Sequence, residues 1–324
     1  MGIARLASQG TPLDEGHGVE YFTIAAKTIL SKCDAPRMPF QWTINPYRGC
    51  EFACTYCYAR YTHEFMEMRD GADFERKIFA KQNCAWLLRQ ELKKVKPGQG
   101  IAIGTATDPY QPAERRYEIT RSIMAELSLH SGLDIGVVTK SPMVLRDADL
   151  LLRIAAQNSL AIHLTVTTVN SDLARLLEVR APRPDLRLET VKKLNALGIN
   201  SGVICAPVLP GITDAPADLE ALVQAAAQAG ARYIFANPLF LKPCAQKMFM
   251  PFLAKNFPHL TADYEQRYCS SAYVTEAYRR HICGLVEELC RKYGLPPRDE
   301  RRRIRTAESL QAGLHQQQLG LFLR

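Results

Sequence analysis

Residues 45–60 read Asn-Pro-Tyr-Arg-Gly-Cys-Glu-Phe-Ala-Cys-Thr-Tyr-Cys-Tyr-Ala-Arg, which places Cys50, Cys54 and Cys57 on one short segment. Soft thiolates select zinc, copper(I) or iron–sulfur clusters. Structural zinc normally has four closed protein ligands, often as two cysteine pairs, and no second pair follows here. His63 is the nearby candidate for a fourth ligand, but we expect it to be a solvated loop residue. The trio therefore favours a cubane with one iron free of protein ligands.

The remaining cysteines are scattered along the chain. In a reducing compartment such cysteines usually behave as small core hydrophobes. This expectation covers Cys33, Cys84, Cys205, Cys244, Cys269, Cys283 and Cys290. A second cluster on Cys269, Cys283 and Cys290 stays open as an alternative, although their spacing on a helical stretch favours core packing.

From about residue 40, short β-rich runs alternate with longer amphipathic ones. The predicted strands are Phe40–Asn45, Ile101–Ala106, Asp134–Thr139, Leu160–Thr167, Ile199–Pro207 and Arg232–Asn237. The predicted helical stretches are Asp73–Val95, Tyr117–Ser131, Asp147–Gln157, Ser171–Glu178 with Leu186–Leu197, and Pro216–Ala229. This order predicts an α/β fold with a parallel sheet and right-handed crossovers. Six units are too few for a closed eight-stranded barrel, so we expect a partial (βα)6 barrel with its chemistry at the carboxyl ends of the strands.

The alternation stops after Pro243, where residues 245–292 read as helical. We therefore divide the chain into an N-terminal extension (1–38), a partial barrel (39–243), a C-terminal helical region (244–298) and a basic tail (299–324).

Composition limits the class of protein. Among 324 residues, 41 Lys and Arg against 33 Asp and Glu give a net charge of +8, which favours a polyanionic partner. No apolar run approaches the ~20 residues that span a bilayer. The apolar stretch Tyr21–Leu30 is interrupted by Lys27 and does not read as a signal peptide. We expect a cytosolic protein without a membrane partner.

The spacing Cys-x3-Cys-x2-Cys after a first strand, with an aromatic residue before the last cysteine, resembles the radical S-adenosylmethionine (SAM) superfamily. Residues 45–60 together with Gly104–Pro112 resemble its spore photoproduct lyase-like, or DNA repair photolyase-like, branch. The resemblance implies a [4Fe–4S] cluster on Cys50, Cys54 and Cys57, with SAM on the open iron. It also implies reductive cleavage of SAM to a 5′-deoxyadenosyl radical, with the electron coming from a donor such as flavodoxin or ferredoxin.

The resemblance further implies where SAM is held. A polar segment after the second strand meets its amino group, which points to Thr105, Thr107 and Asp108; a proline-terminated turn with an Asx-type hydrogen bond is the other interpretation. In the fourth strand, Leu160, Ile162, Leu164 and Val166 should face the helices, which leaves His163, Thr165 and Thr167 inside. Thr167, with Thr165 behind it, is the candidate ribose contact, whereas His163 is expected to be a satisfied interior histidine.

Residues 178–187 interrupt the fourth helical stretch. By resemblance, Glu178 is the candidate for the ribose and Arg180 for the SAM carboxylate, because a guanidinium suits a carboxylate geometrically. Arg183 and Arg187 are alternatives that could instead face solvent. Pro207 is expected to shape the adenine pocket.

Tyr56 and Tyr58 match two tyrosines that relay hydrogen in spore photoproduct lyase together with a cysteine after the second strand. That cysteine is absent, because the corresponding residues are Thr105 and Ala106. We therefore predict that the chain does not repair spore photoproduct by this relay. Cys205 and Cys244 are alternative donors, although a core or loop position is the better interpretation of each.

Residues 318–322 read Gln318-Leu319-Gly320-Leu321-Phe322, which resembles the peptide with which bacterial repair proteins bind the DNA sliding clamp. Three apolar side chains would enter a groove while Gln318 fixes the peptide end. The preceding Arg301–Arg305 run favours nearby phosphates. The alternative is an amphipathic tail that packs on its own domain.

Three functions follow from these patterns. The first is a radical SAM enzyme that acts on DNA in repair or modification. The second is a radical SAM enzyme that modifies a small molecule, a peptide or RNA. The third is a non-catalytic iron–sulfur protein.

Overall fold

The computed structural model describes residues 2–16, 18–35 and 38–296. Its strands, β1 to β11, are Pro12–Gly16, Val19–Ala25, Leu30–Lys32, Trp42–Ile44, Tyr47–Arg48, Lys77–Gln82, Gly100–Ile103, Asp134–Thr139, Ser159–Thr165, Ser201–Val208 and Ile234–Pro238. Its helices, α1 to α13, are Ile3–Ser8, Tyr61–Glu64, Asp73–Arg76, Cys84–Glu91, Glu114–Tyr117, Ile119–Leu127, Ala148–Gln157, Ser171–Leu177, Pro184–Ala196, Pro216–Gln228, Pro243–Asn256, Thr261–Tyr268 and Glu276–Lys292. Short 3₁₀ helices lie at Tyr58–Arg60, Leu92–Lys94, Pro142–Asp147 and Pro258–Leu260.

The larger sheet has the strand order β11-β10-β9-β8-β7-β4-β3. Each pair from β4 to β11 is parallel, and β3 adds an antiparallel edge. Among the described residues no pairing joins β11 to β3, so the sheet stays open. The predicted α/β architecture of six parallel strands in a partial barrel is confirmed.

Strand β9 shows why the sheet has a distinct interior. Ile162 and Leu164 are fully buried in the main core, which the helices share. The alternate residues His163 and Thr165 lie on the opposite, interior face because side chains alternate along a strand. The predicted separation of apolar and polar faces is therefore present.

The predicted helix over Asp73–Val95 is wrong in its middle. Residues Lys77–Gln82 form β6, which pairs in parallel with β2 and in antiparallel with β5. Four consecutive residues of β6 are buried, because both faces of this strand are covered. Burial on both faces removes the alternation that identifies a strand in sequence, and pairing with distant segments overrides local preference. Through β2 and β3, the first 38 residues join both sheets.

Residues 245–292 are helical as predicted, except for Phe257 and for residues 269–275 between α12 and α13. Helix α13 packs against β11, where the Cys283 Sγ donates to the Ala236 carbonyl (3.5 Å) and the Cys290 Sγ to the Ile234 carbonyl (3.9 Å). Core packing is thus confirmed for Cys290, which is 1% exposed, whereas Cys283 is half-buried. The same expectation is wrong for Cys269, which is exposed in the segment after α12. In the described part of the chain, no helix combines the length and apolarity needed to cross a bilayer.

Candidate active site

The loop that carries the three cysteines (the cysteine loop, residues 49–57) begins directly after β5. Gly49 has φ 84°, and a Cβ there would lie 2.7 Å from the Lys77 carbonyl oxygen, so only glycine fits. Two residues that follow β7 hold the Gly49 carbonyl, which accepts from Thr107 Oγ1 at 2.6 Å and from Gln111 Nε2 at 3.2 Å. One edge of the loop is therefore fastened to the segment after the second parallel strand.

The other edge of the cysteine loop pairs with the segment after α8. The Thr55 amide donates to the Leu177 carbonyl (3.0 Å), and the Arg180 amide donates to the Phe52 carbonyl (3.1 Å). Between these bonds, Cys54 and Glu178 form an antiparallel β-bridge. Backbone pairing thus brings Glu178 beside the cysteines, although the two lie far apart in sequence.

The thiols of the loop lie below the surface. Cys50 is 9% and Cys54 7% exposed, and Cys57 is half-buried. Burial raises the pKa of the Cys54 thiol to about 12, although nearby Lys140 acts in the opposite direction. Burial also raises the pKa values of Cys50 and Cys57. Because metals bind the thiolate, metal binding here must release protons.

The donor set fits an iron–sulfur cluster. Within residues 2–16, 18–35 and 38–296, no three His, Cys, Asp or Glu side chains converge as the ligands of one metal ion. Three thiols on one folded loop offer soft donors, and cysteine thiolates are the usual ligands of a [4Fe–4S] cluster. The loop is therefore suited to a multi-iron group with fewer protein ligands than irons.

His63 does not complete a four-ligand set. It is 2% exposed, so the expectation of a solvated loop position is wrong. Its Nε2–H donates to the Lys77 carbonyl (3.0 Å), and its ring meets those of Phe74 and Phe79 edge-on, with centroids 5.3 and 5.9 Å away. Burial lowers the pKa of His63 to about 4. His63 is a neutral core residue.

A buried charged network lies beneath the cysteine loop, centred on the Glu178 carboxylate. One carboxylate oxygen accepts from the Tyr56 hydroxyl and from Thr167 Oγ1, the latter at 2.9 Å. The other oxygen forms an ion pair with Arg187 at 2.5 Å, and Lys140 Nζ lies 3.8 Å from the first. Glu178 and Arg187 are each 1% exposed. We call these five residues the Glu178 network.

Electrostatics keep the Glu178 network ionised. Burial by itself raises the pKa of Glu178, but Arg187 and Lys140 more than offset this and leave the pKa below its usual value. Burial likewise opposes the charge on Lys140, yet Cys54 and Glu178 raise its pKa overall. For Tyr56, burial and then the Glu178 carboxylate hold the pKa well above the ordinary value. The network therefore combines two cations, one anion and a neutral phenol.

The residues that follow β7 mainly form hydrogen bonds that hold the neighbouring loops in place. The Asp108 carboxylate accepts from the Tyr110 amide (2.9 Å), from Thr139 Oγ1 (2.7 Å) and from the Lys140 amide (2.8 Å), which is the predicted Asx-type turn. Thr107 holds Gly49, as described above. Thr105 Oγ1 accepts from Asn45 Nδ2 (3.2 Å), and its carbonyl accepts from the Tyr58 hydroxyl.

The two arginine assignments differ from expectation. Arg180 is exposed, and its charge acts on Glu51 and Glu75 rather than on the Glu178 network. Arg187, for which a solvent-facing position was open, is instead buried; its guanidinium also donates to the Thr165 and Pro182 carbonyls at 3.0 and 2.7 Å.

Pro207 lies half-buried in β10 after a cis peptide bond. Its position agrees with the predicted strand, and its role stays a prediction.

Lys140 is the residue that sequence reasoning missed. Because Lys140 follows β8 directly, the sequence showed only a single lysine at the carboxyl end of a predicted strand. Such a residue becomes notable only when a carboxylate 38 positions further along the chain is brought beside it.

The two tyrosines that flank Cys57 have different environments. Tyr56 is 6% exposed and belongs to the Glu178 network, whereas Tyr58 is 38% exposed. Of the alternative hydrogen donors, Cys205 is fully buried in the core shared with the helices. The Cys244 Sγ donates to the Tyr58 carbonyl at 3.6 Å. Cys205 is a core thiol, as expected, and Cys244 is buried in the first turn of α11 rather than in a loop.

Comparison with known proteins agrees with the fold and the cysteine loop. The sequence model described as the radical SAM superfamily matches residues 44–224. The chain is 34% identical over 280 residues to an uncharacterized protein of Mycobacterium tuberculosis H37Rv, which covers 86% of this chain and 82% of that protein. It is 26% identical over 240 residues to an uncharacterized protein of Methanocaldococcus jannaschii, covering 74% and 85%.

Solved structures show the same fold. A mutant of spore photoproduct lyase superposes with a TM-score of 0.65 at 14% identity, covering 84% of this chain and 79% of that one. The lyase complexed with dinucleoside spore photoproduct gives a TM-score of 0.62 at 13% identity, with the same coverage.

An open parallel sheet with a three-cysteine loop at the carboxyl ends of its strands defines a class of iron–sulfur enzyme. The chain belongs to the radical SAM superfamily. The protein is a radical SAM enzyme, and the cofactors of its superfamily are a [4Fe–4S] cluster and SAM.

Proposed function

We propose that Cys50, Cys54 and Cys57 hold the cluster, that SAM lies against the Glu178 network, and that the enzyme acts on DNA. The observation that carries the site is the β-bridge between Cys54 and Glu178, because it brings the charged Glu178 network directly beside the thiols. When bound, the cluster supplies an electron to SAM, which releases methionine and a 5′-deoxyadenosyl radical. The electron would come from a donor such as flavodoxin or ferredoxin.

The residues of this chain would bind and orient SAM. Lys140 is the cation placed to meet the methionine carboxylate, because Arg180 points elsewhere. Thr167 and Glu178 offer oxygen atoms to the ribose hydroxyls, and carboxylate oxygens have further acceptor capacity beyond their present partners. The backbone at Thr105 and Thr107 would meet the amino group, and Pro207 would border the adenine.

Tyr56 and Tyr58 would have different roles. The Tyr56 hydroxyl donates a hydrogen bond to the Glu178 carboxylate and so orients it. Tyr58 Oη is the exposed phenol, and it is held by the Thr105 carbonyl until a substrate arrives. Because residues 105 and 106 include no cysteine, the three-residue relay of spore photoproduct repair is incomplete here.

A DNA substrate is supported by charge and by likeness. The net charge of +8 favours a polyanion. The solved lyase of similar fold was complexed with a dinucleoside lesion. The clamp-like Gln318–Phe322 lies outside the described residues and stays a prediction. A small molecule, a peptide or RNA is the alternative substrate.

The test begins with anaerobic reconstitution. Iron is counted, and the electron paramagnetic resonance spectrum of the reduced protein is recorded with and without SAM. We expect about four irons per chain, a spectrum that SAM changes, and 5′-deoxyadenosine as product. A reconstituted cluster that neither responds to SAM nor cleaves it would favour the non-catalytic alternative.

DNA action needs separate readouts. We expect salt-dependent DNA binding and faster 5′-deoxyadenosine formation when DNA is added. SAM cleavage with no DNA affinity at low salt would point to the small-molecule or peptide alternative. Deleting residues 316–324 should abolish binding to the sliding clamp, and unchanged clamp affinity would remove that partner.

A further inference from the structure

A chain of aromatic rings runs outward from the cysteine loop. Successive ring centroids are 5.5 Å apart between Phe65 and Tyr61, 6.5 Å between Tyr61 and Tyr58, 5.8 Å between Tyr58 and Phe240, and 4.4 Å between Phe240 and Tyr273. We call these five residues the aromatic ladder. Its middle ring, Tyr58, comes directly after Cys57, and its ends are Phe65, just after α2, and Tyr273, beyond β11 at the edge of the sheet.

The aromatic ladder is open to solvent along much of its length. Phe65 is 63%, Tyr273 48% and Tyr58 38% exposed. Contiguous exposed aromatic surface on a soluble protein usually marks an interaction site. The outer end is held by backbone, because Phe240 and Tyr273 form a β-bridge and the Leu241 amide donates to the Ala272 carbonyl at 2.9 Å. The rings are therefore preorganised.

Positive charge accompanies these rings. Lys242 Nζ lies 4.0 Å from the centroid of Tyr61 and 5.8 Å from that of Phe240. A cation over an aromatic face is a stable arrangement that also leaves the ammonium able to meet an anion. The surface of the aromatic ladder thus combines apolar rings with the positive charge of Lys242. It therefore suits a partner that carries negative charge better than a purely apolar one.

Two further cations lie on the smaller sheet, whose strand β5 leads into the cysteine loop. Arg48 pairs with Phe79 across β5 and β6, so Arg48 and Lys81 share one face of that sheet. Arg48 is half-buried, and its buried Nε has no hydrogen-bond acceptor. Within the described residues neither Arg48 nor Lys81 takes part in an ion pair, although Glu91 acts electrostatically on Lys81. Burial, and then Arg48, lowers the pKa of Lys81 to about 8. Arg48 also acts electrostatically on Tyr61, which joins this pair to the ladder.

We propose that the aromatic ladder and the pair Arg48–Lys81 bind an unpaired stretch of DNA next to the cysteine loop. The exposed rings stack on bases, and the two cations take a backbone phosphate. This inference rests on the proposed action on DNA and names its form, a single strand or a locally opened duplex.

The chemistry favours unpaired over paired DNA. Aromatic side chains can stack only on base faces, which a duplex hides, whereas every exposed base offers a face. Buried cations without a carboxylate partner are unfavourable in the free protein. A phosphate would offset the cost of holding the buried Lys81 and the half-buried Arg48 without an ion-paired carboxylate.

The test measures binding by the reconstituted, SAM-loaded protein to a labelled single-stranded oligonucleotide, a hairpin duplex of the same sequence, and the matching RNA. Phe65→Ala and Tyr273→Ala should each weaken single-strand binding roughly fivefold to a hundredfold. Trp86→Ala is the matched control, because Trp86 is 61% exposed on α4 but lies outside the ladder. Its single-strand affinity should equal that of the parent protein.

Lys81→Met tests the phosphate contact. We expect weaker binding to all single strands, with the slope of log affinity against log salt smaller by roughly 0.7. Thermal unfolding of this variant should be unchanged or higher in temperature, since a buried charge without a carboxylate partner is removed. Lower affinity with undiminished stability therefore cannot be ascribed to misfolding, which iron content also monitors.

The outcomes separate the two proposals. If no DNA binds to a protein that cleaves SAM, the proposed action on DNA fails. If DNA binds but the ladder variants match Trp86→Ala, or duplex or RNA binds more tightly than single-stranded DNA, this inference alone fails.

Discussion

The interior of the parallel sheet differs sharply between its two ends. At the carboxyl end, Glu178 is ion-paired with Arg187 and lies 3.8 Å from Lys140. Toward the amino end, His163 and Tyr233 meet ring to ring, with centroids 5.4 Å apart and the hydroxyl 2.8 Å from Nδ1. One end concentrates charge, whereas the other is filled with aromatic rings.

The filled end is shaped by small residues. A Cβ at Gly202 would lie 2.4 Å from the Tyr233 ring, and one at Gly136 would lie 3.2 Å from His163 Nε2. Phe235 adds a third ring, stacked 6.2 Å from Tyr233. Packed rings therefore support the sheet at its amino end, whereas paired charges gather at the carboxyl end, the edge where barrel enzymes generally hold their chemistry.

The largest effect should come from the thiols at the charged end. Cys54→Ser removes one of three proposed ligands, and we expect SAM cleavage to fall by more than about a hundredfold, together with iron content after reconstitution. Cys269→Ser, at an exposed thiol, is the control and should keep both. Normal iron content in Cys54→Ser would contradict the assignment of the ligands.

Glu178→Gln should be the most damaging change to the fold of the charged end. It leaves Arg187 and Lys140 buried without their carboxylate, which we expect to lower the free energy of unfolding by about 3–5 kcal/mol. Denaturant unfolding of the cofactor-free protein measures this. The control Glu189→Gln removes an exposed helical pair with Lys193 and should cost at most about 0.5 kcal/mol. Equal losses in the two variants would show that the Glu178 network is not stabilising.

Lys140→Met tests which cation meets SAM. Loss of a charged hydrogen bond should weaken SAM binding by roughly tenfold to a hundredfold, and Lys140→Arg should restore part of it. Equilibrium dialysis with the reconstituted protein measures the affinity. Arg180→Met is the comparison variant. A larger loss of SAM affinity in Arg180→Met than in Lys140→Met would mean that Arg180, not Lys140, meets the SAM carboxylate.

The smallest effect is expected at the filled end. Tyr233→Phe removes the hydrogen bond to His163 but keeps the ring, so the free energy of unfolding should fall by about 1 kcal/mol. The rate of SAM cleavage should equal that of the parent protein. A large loss of cleavage with little loss of stability would mean that the two ends are not functionally separate.

Much of the fold could be predicted because it follows from local patterns. All six parallel strands were found, and β8 was placed with its exact bounds Asp134–Thr139. Strand β6 was missed because both its faces are buried and its partners β2 and β5 are distant in sequence. Where burial covers both faces, a strand loses its period of two and resembles a helix.

The site could be predicted only in part, because some of its residues are close in sequence and others meet only through distant pairing. The three cysteines stand close together in sequence, and Tyr56, Thr167 and Glu178 were named and do meet in one network. Lys140 was not named, and the choice of Arg180 over Arg187 does not match the buried pair. Which arginine turns inward depends on how residues 177–180 pair with the cysteine loop, and no periodicity encodes that pairing.

By itself the sequence determined the class of fold and the short segment that carries the three cysteines, because short-range spacing and alternation carry that information. The tertiary structure alone decided which charges are buried together, that His63 is a core residue, and that the rings from Phe65 to Tyr273 form one surface. The physical reason is that charge burial and ring contacts depend on distances between segments far apart in the chain. Those distances exist only once the backbone has folded.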